Sequence, residues 1–323
     1  MKLYAILLFL ALLLLVSLFG GCSGAGAPAA TVGGNDLKTI AADSLSAVTL
    51  LAGWSSVLYQ KMAVDGGTMD LFEELPDGTL HIRGVESDGG AYEWYIYADG
   101  SSTGTITWPN GTTFTSAAEP TVWSDDGNSS FERLTNTYPD GARLECTVRA
   151  QYSDHTASQW EGMATSPQGR QMTFVLDRID QERDNLTLRL PDGAVLRWHA
   201  LLTSIPGAGF WPRFADGATG TYQARGQTLN FRLTGQERWN SYSFTGPDGV
   251  TGSFTLGEQM TGDGQLAQDG STAALLRWTE DGLGTLNLLG TGQQEVTPSA
   301  AARDFQISHW LNNIAALGPA PVY

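Results

Sequence analysis

The sequence predicts a mainly β protein: a large antiparallel meander, built as an extended sheet or a sandwich, with amphipathic helices at its N- and C-terminal ends. Apolar and polar residues alternate with a period of two over many segments, such as 144–150 and 186–190, which indicates strands with one wet face. Asp-Gly and Asn-Gly dipeptides recur between these segments and tolerate the positive φ that tight hairpin turns need.

The spacing of the turn dipeptides sets the predicted topology. Asp77, Asp88, Asp99 and Asn110 follow one another at intervals of 11 residues, which leaves room for about seven strand residues and a short connection. Short connections can join only antiparallel strands. Residues 65–292 are therefore predicted to form one antiparallel β-meander domain. The strand pattern breaks near 205–217, which indicates either a long loop or a seam between two sheets.

The composition excludes one class of partner. The chain has 323 residues, with 34 acidic against 18 basic side chains and a formal net charge of −16, while 41 % of it is hydrophobic. That apolar content is enough for a large core. The acidity argues against a nucleic-acid partner, because binding to phosphates depends on Lys and Arg. Much of the acidity is explained by aspartates in Asp-Gly turns.

The N-terminus has the layout of an export signal. Lys2 supplies a positive charge, an apolar run extends from Leu3 to Phe19, and small residues follow it. The segment Leu18-Phe19-Gly20-Gly21-Cys22 resembles the signal of bacterial lipoproteins, although Phe19 stands where Leu is usual. An alternative is a transmembrane anchor, but the roughly 17 apolar residues are borderline for spanning a bilayer.

The resemblance to lipoproteins implies where the chain is located. Residues 1–21 would be a signal peptide removed by cleavage, and Cys22 would be the lipid attachment site. The protein would then be exported and held at a membrane of the cell envelope by its lipid. In a Gram-negative host, Ser23 rather than Asp after the cysteine implies the outer membrane.

The flanks of the β domain are predicted to be a tether and two helices. Residues 22–34 are rich in Gly, Ala and Pro and indicate a flexible tether. Residues 35–64 carry apolar side chains at helical spacing, which predicts an amphipathic helix. Residues 297–323 contain a second helical pattern that ends in a Pro-containing tail. The two helices are expected to cover the apolar face of the sheet.

The sequence contains no motif that assigns a catalytic residue, a metal site or a cofactor. No HExxH, Walker or GxGxxG pattern is present, and none of the four histidines stands at metal-ligand spacing from another. Cys146 lies on the apolar side of a predicted strand and is expected to be a buried, inert thiol. The chain is therefore expected not to be an enzyme, although this inference is open.

The aromatic residues supply the candidate binding site. Trp94, Tyr95 and Tyr97 are close together on one predicted strand and occupy both of its faces. Exposed rings of this kind stack on sugars or anchor protein partners. We expect a non-catalytic binding or scaffolding domain with a protein or glycan partner in the envelope. The alternatives are a dedicated glycan-binding module and a hydrolase without a visible motif, for which candidate carboxylates are Glu73, Glu74, Glu93 and Glu161.

Overall fold

A computed structural model describes most of the predicted β domain and parts of its flanks. The described residues are 34–61, 68–85, 89–151, 158–179, 183–204, 212–214, 217–235, 240–256, 262–278, 284–289 and 292–305. The predicted signal peptide and Cys22 lie outside them, as do the tether up to residue 33 and the C-terminal residues 306–323.

The predicted fold class is confirmed, because the described part of the chain is dominated by antiparallel strands. The first strands are short: β1 (Thr68–Glu74), β2 (Leu80–Val85), β3 (Ala91–Ile96), β4 (Ser102–Thr107), β5 (Thr113–Ala118) and β6 (Val122–Trp123). The central strands include the longest ones: β7 (Ser129–Thr137), β8 (Arg143–Gln151), β9 (Ser158–Thr165), β10 (Gln171–Arg178), β11 (Arg183–Arg189), β12 (Val195–Ser204), β13 (Pro212–Phe214) and β14 (Thr219–Ala224).

The last strands and the helices complete the fold. The strands are β15 (Gln227–Gly235), β16 (Asn240–Thr245), β17 (Val250–Leu256), β18 (Gly262–Gln268), β19 (Ser271–Trp278), β20 (Gly284–Leu288) and β21 (Gly292–Val296). The helices are α1 (Gly34–Lys61), α2 (Ala300–Asp304) and the short 3-10 turn Pro247–Gly249. Among the described residues, neither α1 nor α2 has an apolar stretch long enough to cross a bilayer.

The strands form one continuous meander in which each strand pairs with its neighbours in the chain. β2 pairs with β1 and β3, and the same order continues to the pair β20–β21. Two short strands depart from it: β6 shares one side of β7 with β5, and β13 shares one side of β12 with β14. Because β12 pairs with β14 through residues 195–199, the sheet continues across the segment at 205–217, most of which lies outside the described residues.

The hairpin turns show why the dipeptide pattern predicts the topology so well. At Pro76-Asp77-Gly78, the Gly78 N–H donates to the Leu75 carbonyl at 2.9 Å and the Leu75 N–H donates to the Thr79 carbonyl at 2.8 Å. Gly78 has φ +81°, and Asp77 Oδ1 accepts from the Thr79 N–H at 3.0 Å. These features define a three-residue loop, in which glycine supplies the left-handed residue. The same pair of backbone bonds closes the turns centred on residues 99, 110, 140, 168 and 192.

Asp-Gly dipeptides predict turns, and among those in the described residues this prediction is wrong at 263–264. Asp263-Gly264 lies inside β18 rather than at a corner. Gly264 pairs with Phe254, and a Cβ on Gly264 would lie 2.4 Å from the Phe254 ring. Asp263 points to the opposite face, where its Oδ1 accepts from Arg277 Nε at 2.8 Å. The glycine is there to make room for an aromatic ring, a function that the dipeptide alone does not reveal.

The sheet has one face that is buried over most of its length, which we call the core face, and an opposite outer face. Leu144, Phe174, Leu188 and Tyr222 are all on the core face and are at most 1 % exposed. Large aromatic side chains that are fully buried contribute to the core: Trp160, Trp198, Tyr222, Tyr242, Phe174, Phe231, Phe254 and Phe305. The outer face carries the polar partners of the alternating pattern.

The core face curls around helix α1. The helix contacts β13 and β14 and also β20 and β21. Five strands separate β14 from β20 in the meander, and within the described chain none of these five contacts the helix to a comparable extent. The helix therefore does not lie across a flat sheet, and the sheet bends around it. Leu45 illustrates this contact, since a Cβ on Gly284 in β20 would lie 2.9 Å from Leu45 Cδ1. The same contacts therefore bury the apolar surface of α1 and that of the core face.

Helix α1 is buried on its polar as well as its apolar side over part of its length, unlike an amphipathic helix with one side in water. Residues 43–51 are all buried, including the polar side chains of Asp43, Ser44, Ser46 and Thr49. Buried polar groups need hydrogen-bond partners. Ser44 Oγ donates to the Ile40 carbonyl at 2.7 Å, and Ser46 Oγ accepts from the Ser299 N–H at 2.8 Å. The enclosing sheet and α2 thus cover the helix on sides where the sequence pattern leaves it polar.

Candidate functional site

Of the three candidate aromatic residues, Trp94 and Tyr95 lie on strand β3 and Tyr97 directly follows it, and they occupy opposite faces of the sheet. Residues paired directly across an antiparallel sheet point to the same side. Trp94 pairs with Gly104, and the same row leads through Ser116 and Asn136 to the buried Leu144, which places Trp94 on the core face. Tyr95 and Tyr97 lie on the outer face. The structure therefore brings the two tyrosines together and separates them from the tryptophan.

Trp94 is half-buried against small neighbours. A Cβ on Gly104 would lie 2.1 Å from the Trp94 ring, so the indole lies directly over this glycine. Trp94 stacks with Phe114 at 6.5 Å between ring centroids, and Phe114 contacts Tyr138 at 5.3 Å. This row of rings continues into the core. Trp94 thus belongs to the packing of the core face.

On the outer face, Tyr95 belongs to a cluster that we call the His81 cluster: Glu73, His81, Glu93 and Tyr95. The His81 Nδ1 lies 3.1 Å from Glu73 Oε1, and its Nε2 lies 2.9 Å from Glu93 Oε1. The Tyr95 ring stacks on the imidazole at 4.5 Å with 4° between the planes. The Tyr95 hydroxyl donates to Glu93 Oε1 at 3.0 Å. Strands β1, β2 and β3 each contribute to the cluster.

The charges in the His81 cluster reinforce one another. Both partners of the imidazole are carboxylate oxygens, which can only accept, so both ring nitrogens donate when His81 is protonated. The hydrogen bonds to Glu73 and Glu93 raise the pKa of His81. The hydrogen bonds from His81 and Tyr95 lower the pKa of Glu93. The His81 side chain is only 12 % exposed, whereas each glutamate side chain is 47 % exposed and can still meet a ligand.

The outer face beside the cluster is rich in hydroxyl groups. Tyr97 is 39 % exposed, and its hydroxyl lies 3.0 Å from Thr103 Oγ1 on β4. The outer faces of β4, β5 and β7 continue with further threonines, namely Thr105, Thr107, Thr113, Thr115, Thr135 and Thr137. This surface presents aromatic rings, carboxylates and hydroxyls side by side. It can bind a ligand through ring stacking and hydrogen bonds.

At the same end of the sheet, the core face is incompletely covered. Phe72 on β1 pairs with Ile82, which pairs with Trp94, so all three lie on the core face. Phe72 is 61 % exposed and Met69 is 62 % exposed, whereas Phe114 on β5 is 7 % exposed. Large apolar side chains that remain exposed in a group are typical of an interaction surface.

The His81 cluster was not predicted from the sequence, although the turn pattern contains a signal for it. In a hairpin, residues at equal distances from the turn centre face each other. Glu73 and His81 each lie four residues from Asp77, and Tyr95 and Thr103 each lie four residues from Asp99. Combining the turn centres with the strand alternation would have placed these side chains on one face. The remaining candidate carboxylates lie elsewhere: Glu74 ends β1, and Glu161 on β9 faces Arg149 at 3.5 Å.

The described residues offer no preformed metal site, since no group of three His, Cys, Asp or Glu side chains among them is placed to hold an ion. Cys146 is 4 % exposed, and burial raises the pKa of its thiol to about 12. A thiol with so little thiolate is a packing group, as expected from its position on the apolar side of the strand.

The fold and the cluster define the described chain as an open antiparallel β meander, curled around a buried helix, with an aromatic and acidic surface near its first strands. No protein-family model matches the sequence, and no curated protein matches it significantly.

Proposed function

We propose that this chain is a lipid-anchored protein of the cell envelope whose β domain binds a partner without catalysis. The anchor would be the lipid on Cys22, and the Gly/Ala/Pro-rich segment after it would hold the folded domain away from the membrane. In a Gram-negative host the location would be the outer membrane. The single observation that supports binding is that side chains on both faces of the sheet remain exposed at its β1–β4 end.

The exposure of the core face differs between the first strands of the sheet and the later ones. From β8 onward the core face is closely packed, with Leu144, Phe174 and Leu188 at most 1 % exposed. At β1 the same face exposes Phe72 and Met69. Leaving such groups in water forgoes roughly 1.5–3 kcal/mol of burial free energy per large apolar side chain. A partner that covers them would recover this free energy, so we assign the partner surface to this end.

The carboxylates favour binding over hydrolysis. Glu73 and Glu93 are both engaged by His81, and Glu93 also accepts from Tyr95. A glycoside hydrolase needs one carboxylic acid and one carboxylate that face the substrate. The hydrogen bond to His81 lowers the pKa of Glu93 and so opposes the protonated form that a general acid requires. The cluster is better suited to accepting hydrogen bonds from a ligand.

The partner surface can be tested by site-specific photo-crosslinking in cells. A photoreactive amino acid at Phe72 should give a discrete crosslinked product, because this side chain would be covered by the partner. The same amino acid at Leu275 is the matched control, since Leu275 is 47 % exposed but lies on the opposite end of the meander. Equal patterns at the two positions, or none at Phe72, would contradict the proposal.

The anchor is tested separately. Cys22→Ala should abolish lipid labelling and release the chain from the membrane fraction, since no other thiol in the mature chain is exposed: Cys146 is buried. Unchanged membrane retention of Cys22→Ala would refute the lipid anchor and favour a transmembrane segment that starts at Leu3.

A glycan is the second candidate partner, favoured by the tyrosines and hydroxyls of the outer face. Calorimetric titration with soluble cell-wall glycans should show binding that Tyr97→Ala weakens about tenfold, as expected for the loss of one stacking ring. Trp94→Phe is the matched control, because Trp94 lies on the core face. Tryptophan fluorescence is a poor reporter here for the same reason. Binding that Tyr97→Ala leaves unchanged would remove the outer face from consideration.

A further inference from the structure

A second site lies away from the His81 cluster, where α1, the β14–β15 turn, β21 and α2 meet. A cavity of about 570 Å³ opens there, within the size range of small-ligand sites. Three of its lining residues are cations: Lys38 from α1, Arg225 from the turn and Arg303 from α2. The chain has only 18 basic side chains and a net charge of −16, so three cations around one cavity are a local reversal of its charge.

Arg225 is held in place from inside the protein. Its Nη2 donates to the carbonyl of Thr39 at 3.4 Å and also to Asp43, whose side chain is 4 % exposed. Asp43 does not line the cavity, so it anchors the guanidinium from behind and offsets part of its charge. Both contacts use Nη2, so they do not engage Nε and Nη1 of Arg225. These donors remain available on a side chain that is 56 % exposed.

The backbone at Arg225 also departs from the pattern of the other turns. Among the described residues, three that are not glycine have positive φ: Arg225 at 51°, Asp248 at 53° and Asp269 at 51°. Aspartate tolerates this conformation, whereas arginine gains nothing from it. The β14–β15 turn therefore carries an arginine at the position where the other two turns carry aspartate. The guanidinium of this arginine reaches Asp43 and the cavity.

The other two cations are free within the described chain. Neither Lys38 nor Arg303 forms an ion pair with a described residue, although Glu295 also lines the cavity. Ala42, Val296 and Pro298 supply an apolar part of the wall. We propose that this cavity binds a ligand bearing a phosphate group, with Lys38, Arg225 and Arg303 around the phosphate. A phosphate monoester carries nearly two negative charges and a phosphodiester carries one, and both offer several acceptor oxygens, which matches a set of cations with many donors.

The test is calorimetric titration of the full chain in detergent with inorganic phosphate and with glycerol 3-phosphate. Saturable binding is expected, weakened about tenfold by Lys38→Ala or by Arg303→Ala as each removes one charge-assisted contact. Both side chains are exposed, so the thermal unfolding of these variants should match the parent. Arg277→Ala is the matched control, because it removes an exposed arginine whose partner is Asp263 and which does not line the cavity.

Flotation with vesicles distinguishes the source of the phosphate. A lipid anchor inserts alike into vesicles of phosphatidylcholine, whose phosphate is neutralised by its own choline, and of phosphatidylglycerol, which is anionic. A preference for phosphatidylglycerol that is lost in the Lys38→Ala/Arg303→Ala variant therefore assigns the phosphate to an anionic lipid headgroup. Saturable binding of the soluble probes without this preference assigns it to a free small ligand. The proposal is overturned when neither probe binds and vesicles show no preference, or when the double variant binds like the parent.

Discussion

The environment of His81 depends on the pairing of strands more than on the local sequence pattern. His81 is an ordinary polar position on β2 by strand alternation, yet it binds a carboxylate on each side and stacks on Tyr95. Each contact comes from a neighbouring strand rather than from a neighbour in the chain. The environment of this imidazole is thus a property of the sheet register.

The protonation of His81 should depend on its two carboxylates. Because the folded pKa is raised above the unfolded value of about 6.5, the stabilisation is fully present below that value. It is lost as the pH rises through the folded pKa. NMR titration of the His81 ring should show a lower pKa in Glu73→Gln and Glu93→Gln than in the parent. Glu161→Gln is the control, since Glu161 faces Arg149; an unchanged His81 pKa in both cluster variants would contradict the assignment.

The three-residue hairpin is the repeated element of this fold. Its loop combines a proline or small residue, an Asp, Asn or Gln, and a glycine with positive φ, as at 139–141. Asp140 Oδ1 accepts from the Ala142 N–H at 2.9 Å, so the side chain stabilises the turn locally. Since all these features lie within a few residues, the turns could be predicted from the sequence. Gly264 shows the limit, because its role is to face Phe254 on another strand.

Gly141→Ala should isolate the conformational contribution of a turn. Gly141 has φ +86° and no atom within 4 Å of an added Cβ, so steric contacts cannot account for any loss. The left-handed conformation costs a residue with a Cβ about 1–2 kcal/mol, and the free energy of unfolding should fall by that amount. Gly141→Asn should cost less, because asparagine tolerates this region. Chemical denaturation measures both; equal losses for the two variants would show that another effect dominates.

Across the molecule as a whole, α1 provides the core around which the sheet curls. The helix contacts β14 and β20, and Arg225 binds the buried Asp43 while the Ser299 N–H binds Ser46. Burial raises the pKa of Asp43, although Arg225 opposes this effect. These contacts join residues more than 180 positions apart in the chain. Helix and sheet are therefore expected to unfold together.

Leu45→Ala tests this dependence. The side chain is 1 % exposed and contacts the strand that carries Gly284, so its truncation should lower the free energy of unfolding by about 2–5 kcal/mol in one cooperative transition. Leu275→Ala on the outer face, where Leu275 is 47 % exposed, should cost much less. Circular dichroism during denaturation reports both. Comparable losses at the two positions would mean that α1 is not part of the core.

The turns, the strand alternation and the approximate positions of the helices follow from the sequence, because positive φ at Gly78 or Gly141 and the period of a strand depend on a few adjacent residues. The same local rules place Tyr95 and Trp94 on opposite faces. The curl of the sheet around α1, the burial of Asp43 and Ser46, the His81 cluster and the cations of the cavity were decided only by tertiary structure. Each depends on strands or helices that are distant in the chain, and a local pattern carries no information about which of them come into contact.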